Sequence, residues 1–437
     1  MKHRLVNILF WSVIAAAFIG PGTVTTAASA GAGFGYTLIW ALIFSTIACY
    51  VLQEASARLT VVSGHNLGQA LRKEFSDSLA GKTIVWLALF AILLGCAAYE
   101  AGNIVGAVSG ITLLYDIPRW MLAMLIGVIA AMLLWAGTVE NIALTLGGIV
   151  ALMGFCFLGT ALLMDHPLSE LFTSAVIPSI PAGSEILVLG LIGTTVVPYN
   201  IFLGSGLKHS QSPKEMKISL AIAIGLGGVI SIAVLLVGTA VTGAFTYEAL
   251  AEALALQLGG WATLLLGTGL FAAGISSTLT AALAASITAQ SILSSDKSDP
   301  GWNTNGLRFR AVWIAVLLTG MFFGMTGLQP VPLIILAQAF NGIILPVIAI
   351  VLLILINHSR LIPRPHQNGN LYNLLTGVVV FTTIVIGLTN VTRAMASVSG
   401  IDLVDEQKIL AGSVLAALLV SYPVIRKIIK VRNVTSD

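Results

Sequence analysis

Apolar residues along this chain form long, nearly unbroken runs joined by short polar links, the pattern of a protein that crosses a bilayer many times. Windows of about 20 apolar residues predict twelve membrane helices, near 8–32, 35–57, 84–113, 119–137, 142–164, 186–206, 216–244, 259–292, 309–327, 331–357, 371–394 and 409–425. The first and the sixth are interrupted. Gly20-Pro21-Gly22 joins two conformationally permissive residues to one that lacks an N–H, so a regular helix fails there. Gly193-Thr194-Thr195-Val196-Val197-Pro198-Tyr199-Asn200 repeats the failure in the sixth segment. Unpaired backbone groups are costly in lipid, so such breaks are tolerated only where protein or a watery cavity covers them. The freed carbonyl and N–H groups then serve as ligands, as in the midplane sites of many secondary transporters. The basic start and the apolar stretch before Gly20 resemble a signal peptide, but the apolar pattern runs past the break and eleven similar segments follow.

Five segments precede a longer outer link that holds Asp165, His166, Glu170, Glu185 and a Pro178-Ser179-Ile180-Pro181 turn region, and five follow it. Each group begins with its broken helix, and an odd number of spans turns the second group upside down, which is the arrangement of an inverted repeat. The expected division is 1–165 for the first repeat (helices 1–5), 166–185 for an extracellular linker, 186–357 for the second repeat (helices 6–10), and 358–437 for two peripheral helices with a short cytoplasmic tail.

Basic residues set the orientation, since cytoplasmic links are enriched in Lys and Arg. With the N-terminus inside, 18 of the 21 fall on the cytoplasmic side, and only Arg119, Arg393 and Lys408 lie outside. Losing one span would invert every later link and spoil this asymmetry. The expected setting is a bacterial inner (plasma) membrane with both termini cytoplasmic. Composition agrees: 57% of residues are hydrophobic, 9% are charged, and the mean hydropathy is +0.99. The net charge of +3 belongs to topology and leaves no patch for nucleic acid. Cys49, Cys96 and Cys156 fall in apolar segments without paired or metal-type spacing, and the six histidines lie at segment ends or in links. No metal cluster, no cofactor and no enzyme chemistry is expected, because no nucleophile stands with a base and no phosphate-binding loop is present. The expected partners are a small-molecule or ion substrate and the lipid bilayer, and the oligomeric state is open.

Glu100 is the acid nearest the middle of a segment, a placement that costs about 3 kcal/mol and marks function by default. Glu54 lies near a segment's cytoplasmic end, where Arg58 offers an i,i+4 pair or the side chain reaches the interface. Gly68 to Phe75 reads as a short amphipathic surface helix. The small, hydroxylated run Ala272 to Thr280 reads as close helix packing. Gln338 must find a partner, either in a central cavity or on a neighbouring helix.

Gly20-Pro21-Gly22-Thr23, followed by Gly31-Ala32-Gly33-Phe34-Gly35-Tyr36-Thr37-Leu38-Ile39-Trp40, resembles the first helix of the NRAMP metal-transporter family, whose motif reads Asp-Pro-Gly-Asn. Gln53 to Leu59, Gly64 to Leu67, Gly193 to Asn200, Ala273 to Thr278, and Gln338 with Leu345-Pro346 extend the resemblance over nearly the whole chain. It implies an all-α integral membrane protein of the LeuT-type fold: ten core helices in two inverted repeats of five, helices 1 and 6 broken, two peripheral helices, and alternating access. The chain departs from the family at the metal site. Gly20 stands for the metal-binding aspartate, Thr23 for the asparagine, and Val197-Pro198-Tyr199 for Met-Pro-His, while Thr194 takes the carbonyl-donating position. Glu100 aligns with the aspartate associated with proton movement, Asn103 replaces a glutamate, and Ile344 replaces a second glutamine.

Transition-metal sites are built from carboxylate, imidazole and softer donors, whereas this one offers hydroxyls and carbonyls. The helix starting near Gly22 keeps exposed N–H groups and partial positive charge, which favours anions. The expected substrate-binding residues are Gly20, Pro21, Gly22, Thr23, Thr25, Thr194, Val197, Pro198, Tyr199, Asn200 and Gln338, with Glu100 and Asn103 for proton coupling. The expected function is a secondary transporter of a small non-metal solute: bicarbonate, a small carboxylate or a zwitterion. The alternatives are proton-coupled transport of divalent metal through a rebuilt site, and a non-transporting receptor, against which the short stretch to Asp437 leaves no room for an effector domain.

Overall fold

The computed structural model of the protein describes residues 19–137, 139–206, 213–294, 299–398 and 406–433. Its helices begin with α1 (Pro21–Phe34), α2 (Ile39–Ser63), α3 (Leu67–Phe75), α4 (Leu79–Thr112), α5 (Arg119–Ala136), α6 (Val139–Leu163) and α7 (Leu168–Val176). They continue with α8 (Glu185–Thr195), α9 (Pro198–Gly206), α10 (Pro213–Gly238), α11 (Tyr247–Leu258), α12 (Trp261–Leu293), α13 (Leu307–Met325), α14 (Pro330–Ile356), α15 (Asn370–Val398) and α16 (Glu406–Arg432). Among the described residues, 11 stretches are long and apolar enough to span a membrane, with α8 and α9 forming one of them. Residues 8–18 of the first apolar segment lie outside the described residues, as do Lys2, Arg4, Lys208, His209 and Lys297.

Several helices outrun their apolar windows. Helix α2 continues to Ser63, where Gly64 stops it in the left-handed region (φ +70°) and donates its N–H to Thr60 O at 2.9 Å. Next to it, Asn66 and Gln69 form a reciprocal capping box that starts the amphipathic α3. Two short helices had no apolar window to announce them: α7, in the expected linker 166–185, and α11, between the seventh and eighth spans.

The spans pack through glycines, as membrane helices must when lipid gives little drive for association and close backbone approach supplies it. A Cβ on Gly31 of α1 would collide with Leu235 O of α10, and one on Gly238 of α10 with Ala28 of α1. The same reciprocity joins α4 to α12 at Gly110 and Gly267, and α8 to α14 at Gly193 and Gly342. Helices α1 and α8–α9 are held centrally by these contacts, while α15 and α16 pack on the flank of α14.

Glu54 does not reach for the interface. It is 1% exposed, pairs with Arg58 Nε at 3.0 Å and Lys217 Nζ at 3.2 Å, and accepts from the Tyr372 hydroxyl at 3.0 Å. One carboxylate thus ties α2 to α10 and α15. Glu74 of α3 meets His358 Nε2 at 2.7 Å and Lys427 Nζ at 3.1 Å. Burial pushes the Glu74 carboxyl up, but bonds and charge from His358 and Lys427 outweigh it and hold the pKa below its ordinary value.

Gly31→Leu overpacks the α1–α10 crossing and costs about 1–3 kcal/mol or more, seen as a lower thermal midpoint in detergent. Gly33→Ala, two residues on with open space around it, does not lower that midpoint. Because folding depresses the Glu74 pKa, its contribution is full above the unfolded value, about 4.3, and fades as the pH falls through the folded one. Glu74→Gln therefore flattens the acid limb of the stability–pH curve, and a curve matching wild type would refute the pairing.

Candidate functional site

Three consecutive residues of the first break touch three different helices. Gly20 is extended (φ −89°, ψ 174°), and its carbonyl accepts from Thr23 N at 3.1 Å and Val24 N at 3.2 Å, which starts α1. A Cβ on Gly20 would stand 3.2 Å from Ser277 Oγ of α12. Pro21 lodges against Gly106 of α4, and the Gln338 amide of α14 lies so close to Gly22 that any side chain there would collide with it. The second break is as short. Helix α8 ends at Thr195, Val196 takes φ −98° and ψ 76°, and α9 resumes at Pro198.

The two breaks meet through hydroxyls. Thr23 Oγ1 and Thr194 Oγ1 are 2.9 Å apart, and the Tyr99 hydroxyl donates to Thr194 O at 3.3 Å. The Tyr99 ring stands edge-on to Tyr199, with centroids 5.3 Å apart. Gly20, Pro21, Gly22, Thr23, Thr194 and Gln338 are therefore brought together. Val197 and Pro198 complete the break as buried backbone and ring, with Val197 O accepting from Asn200 N at 3.1 Å. Tyr199 packs beside this junction, and Asn200 is buried with its amide nitrogen unbonded among the described residues.

Thr25 is not part of the junction. Two residues along a helix is a turn of about 200°, so Thr25 faces away from Thr23, donates to Pro21 O at 2.7 Å and meets the Tyr247 hydroxyl of α11 at 2.5 Å. Glu100 and Asn103 form a separate cluster. Gly102 of α4 faces the Gln338 amide, while Glu100, two residues back, points the other way, against Gly320 of α13. Its carboxyl is fully buried beside Asn103 and Thr278, near enough for their dipoles to act on it, although none of these side chains makes a well-aligned hydrogen bond among the described residues.

Ser277 and Tyr99 join the candidate set from the structure alone. Ser277 was hidden in a run whose small residues do pack, since Gly274 sits on Asn103 O and Ala107. One step along α12, about 100° round, Thr278 turns from Gly20 toward Glu100. The two adjacent hydroxyl residues thus face the break on one side and the buried carboxyl on the other.

The junction can accept and donate hydrogen bonds, but it carries no fixed negative charge of its own. Both polar atoms of the Gln338 amide lack a bond among the described residues, a state that costs about 1–3 kcal/mol per buried group. Retaining such an amide over Gly22 makes sense where a polar guest completes it. Among the described residues, no three His, Cys, Asp or Glu side chains gather as a metal site.

Comparisons with known proteins bear on this geometry. A family model described as natural resistance-associated macrophage protein-like matches residues 12–393. A divalent metal cation transporter, MntH, of Yersinia pestis is 28% identical over 294 residues, covering 64% of this chain and 71% of the relative. Its counterpart in Erwinia tasmaniensis is 26% identical over 310 residues, covering 67% and 73%. Among solved structures, a mutant of the Eremococcus coleocola manganese transporter superposes with a TM-score of 0.72 at 18% identity, covering 98% of this chain and 96% of that one. Mhp1, a nucleobase-cation-symport-1 family transporter, superposes with 0.54 at 15% identity, covering 98% and 94%. These likenesses show the LeuT-type fold, with two inverted five-helix repeats, broken helices 1 and 6, and two peripheral helices.

Thr194→Val, which keeps shape and deletes the hydroxyl, is expected to lower cargo affinity about tenfold, the loss of one buried hydrogen bond of about 1.4 kcal/mol. Thr25→Val is expected to leave affinity within about twofold and to loosen α11 instead. Binding measured by calorimetry against thermal midpoints separates the two, and equal affinity loss in both variants would refute the assignment.

Proposed function

Because this chain belongs to the natural resistance-associated macrophage protein-like family, we propose that it is a secondary transporter that alternates access around its two breaks, and that its cargo is a small non-metal solute. The observation behind this reading is the Thr23–Thr194 hydroxyl pair at 2.9 Å, at the positions where the resemblance puts metal-binding groups. A divalent ion surrenders hydration only to anionic or strongly donating ligands. Hydroxyls, the Gln338 amide and the positive end of α1 suit a small anion or zwitterion instead: bicarbonate, a small carboxylate or an amino-acid-like solute. In this scheme Gly20, Pro21 and Gly22 let the cargo approach the backbone, Thr23, Thr194 and Gln338 bond it, and Val197, Pro198, Tyr199 and Asn200 line the second break. Thr25 supports α1 from behind. Glu100 is the proton-coupling group, with Asn103 and Thr278 as its dipolar partners and Ser277 as the step toward the break. The protein sits in a bacterial inner membrane with both termini inside, on the strength of its basic-residue asymmetry.

The second reading is proton-coupled divalent metal transport, and the comparisons favour it: the relatives carry the name divalent metal cation transporter, and the similar solved structure is a manganese transporter. It requires the ion to keep much of its water at the hydroxyl junction, or Glu100 to rotate from Gly320 toward that junction.

Mn²⁺ uptake into proteoliposomes, with a metal-transporting NRAMP protein as control, decides between them. On the first reading uptake is at background, and a proton gradient drives labelled bicarbonate or carboxylate instead. Saturable Mn²⁺ uptake that other divalent ions inhibit would overturn it in favour of the second. Gly20→Asp with Thr23→Asn restores the family's pair; Ser277 Oγ stands 3.2 Å from the new Cβ and can swing aside. That variant is expected to lose native transport and to gain Mn²⁺ binding by calorimetry, and unchanged native transport would place the site elsewhere.

A further inference from the structure

At the end of the bundle that carries α3, far from the breaks in sequence, a cavity of about 290 Å³ is walled by three segments. Lys73 and Asp77 come from α3 and the turn after it, His358 and Arg360 from the link between α14 and α15, and Lys427 and Lys430 from the last turns of α16. Glu74 also lines it and is already engaged by His358 and Lys427. Lys73, Arg360 and Lys430 then face Asp77 alone, and none of the three cations is in an ion pair among the described residues. The cavity is an anion-sized space with surplus positive charge.

A second hollow adjoins it along the same helix. A groove of about 510 Å³ runs between α14, α15 and α16, walled by apolar side chains that include Leu353, Leu374, Phe381, Leu418, Ile425 and Ile429. Val424 and Ile428 line the groove and Val431 lines the cavity, and their i, i+4, i+7 spacing puts them on one stripe of α16. Asn357 borders the groove and the next residue, His358, borders the cavity. Lys427 lies over the Phe75 ring, 5.6 Å from its centroid, so the amphipathic α3 closes the basic end against the apolar one.

We propose that this paired cavity and groove is a binding site for an anionic phospholipid, with the phosphate among Lys73, Arg360 and Lys430 and an acyl chain along the groove. Basic clusters at a membrane surface attract anionic headgroups, and Arg360 adds planar, charge-assisted donors that match a phosphate. A free phosphate would use the cavity and ignore the groove. A zwitterionic lipid brings the same phosphate, but with a quaternary ammonium that the cations repel. An anionic lipid uses both hollows without that opposition. By bridging α3, α16 and the link after α14, it would brace the periphery without touching the cargo junction.

The test uses the full-length protein in a neutral detergent, with lipid retention read by native mass spectrometry. Phosphatidylglycerol and phosphatidylcholine of identical chains are the probes, and inorganic phosphate is the competitor. Wild type is expected to retain phosphatidylglycerol preferentially. Arg360→Gln with Lys430→Gln is expected to weaken that retention about thirtyfold, the effect of two interfacial charges, and to weaken phosphatidylcholine, whose ammonium offsets its phosphate, far less. Gly377→Leu fills the groove wall, where a Cβ meets nothing within 4 Å, and is expected to weaken both lipids while keeping the thermal midpoint. Equal retention of the two lipids by wild type, or an unaltered preference in the double variant, would overturn the proposal. Displacement by phosphate with no effect of Gly377→Leu would overturn it too, and would assign the cavity to a soluble anion.

Discussion

Everything central in this protein depends on three residues that have almost no side chain to spare. Gly20, Pro21 and Gly22 start α1, and in doing so they come against Ser277, Gly106 and the Gln338 amide at once. In lipid a broken helix survives only if neighbours cover its unpaired groups. Here α4, α12 and α14 supply that cover, and each does so with a small or amide residue at the point of approach. The glycines farther along α1, α8 and α10 extend the same device, so the broken helices are held by close backbone contact. Such contacts are steeply distance-dependent. A bundle held this way has discrete packings, a property that alternating access needs.

The breaks were legible because glycine and proline are conspicuous inside an apolar run, and the fold followed from their matching positions in two groups of five spans. The meeting of Thr23 with Thr194, 171 residues apart, was legible only through that symmetry. Thr25 was grouped with Thr23 by membership in the motif, whereas helical phase sets it on the opposite face, against Tyr247. Ser277 was concealed for the opposite reason. Its neighbours do pack, and nothing in a stripe of small residues says which hydroxyl faces a ligand. Glu54 also escaped: its i,i+4 partner was visible, but Lys217 and Tyr372 are not close to it in sequence. Helices α7 and α11 are too short and too polar at their ends to register in an apolar window, so the anchoring of Thr25 by Tyr247 had no sequence signal.

The same fold carries different cargoes because the fold fixes where the breaks lie and leaves their chemistry to a few side chains. With an aspartate at position 20, the junction would hold a negative charge against the positive end of α1 and would need a cation to complete it. With Gly20 in that place, no carboxylate stands at the start of α1. At an effective dielectric of about 20, a unit charge 4 Å away is worth about 4 kcal/mol, so that one position weighs heavily in the choice of guest. The one buried carboxyl nearby, Glu100, is turned away by Gly102 and Gly320, which set opposite faces of α4 toward Gln338 and α13. Charge and hydrogen bonding thus lie on different sides of α4: Gly102 faces the Gln338 amide that covers the first break, and the Glu100 carboxyl lies against Gly320 of α13.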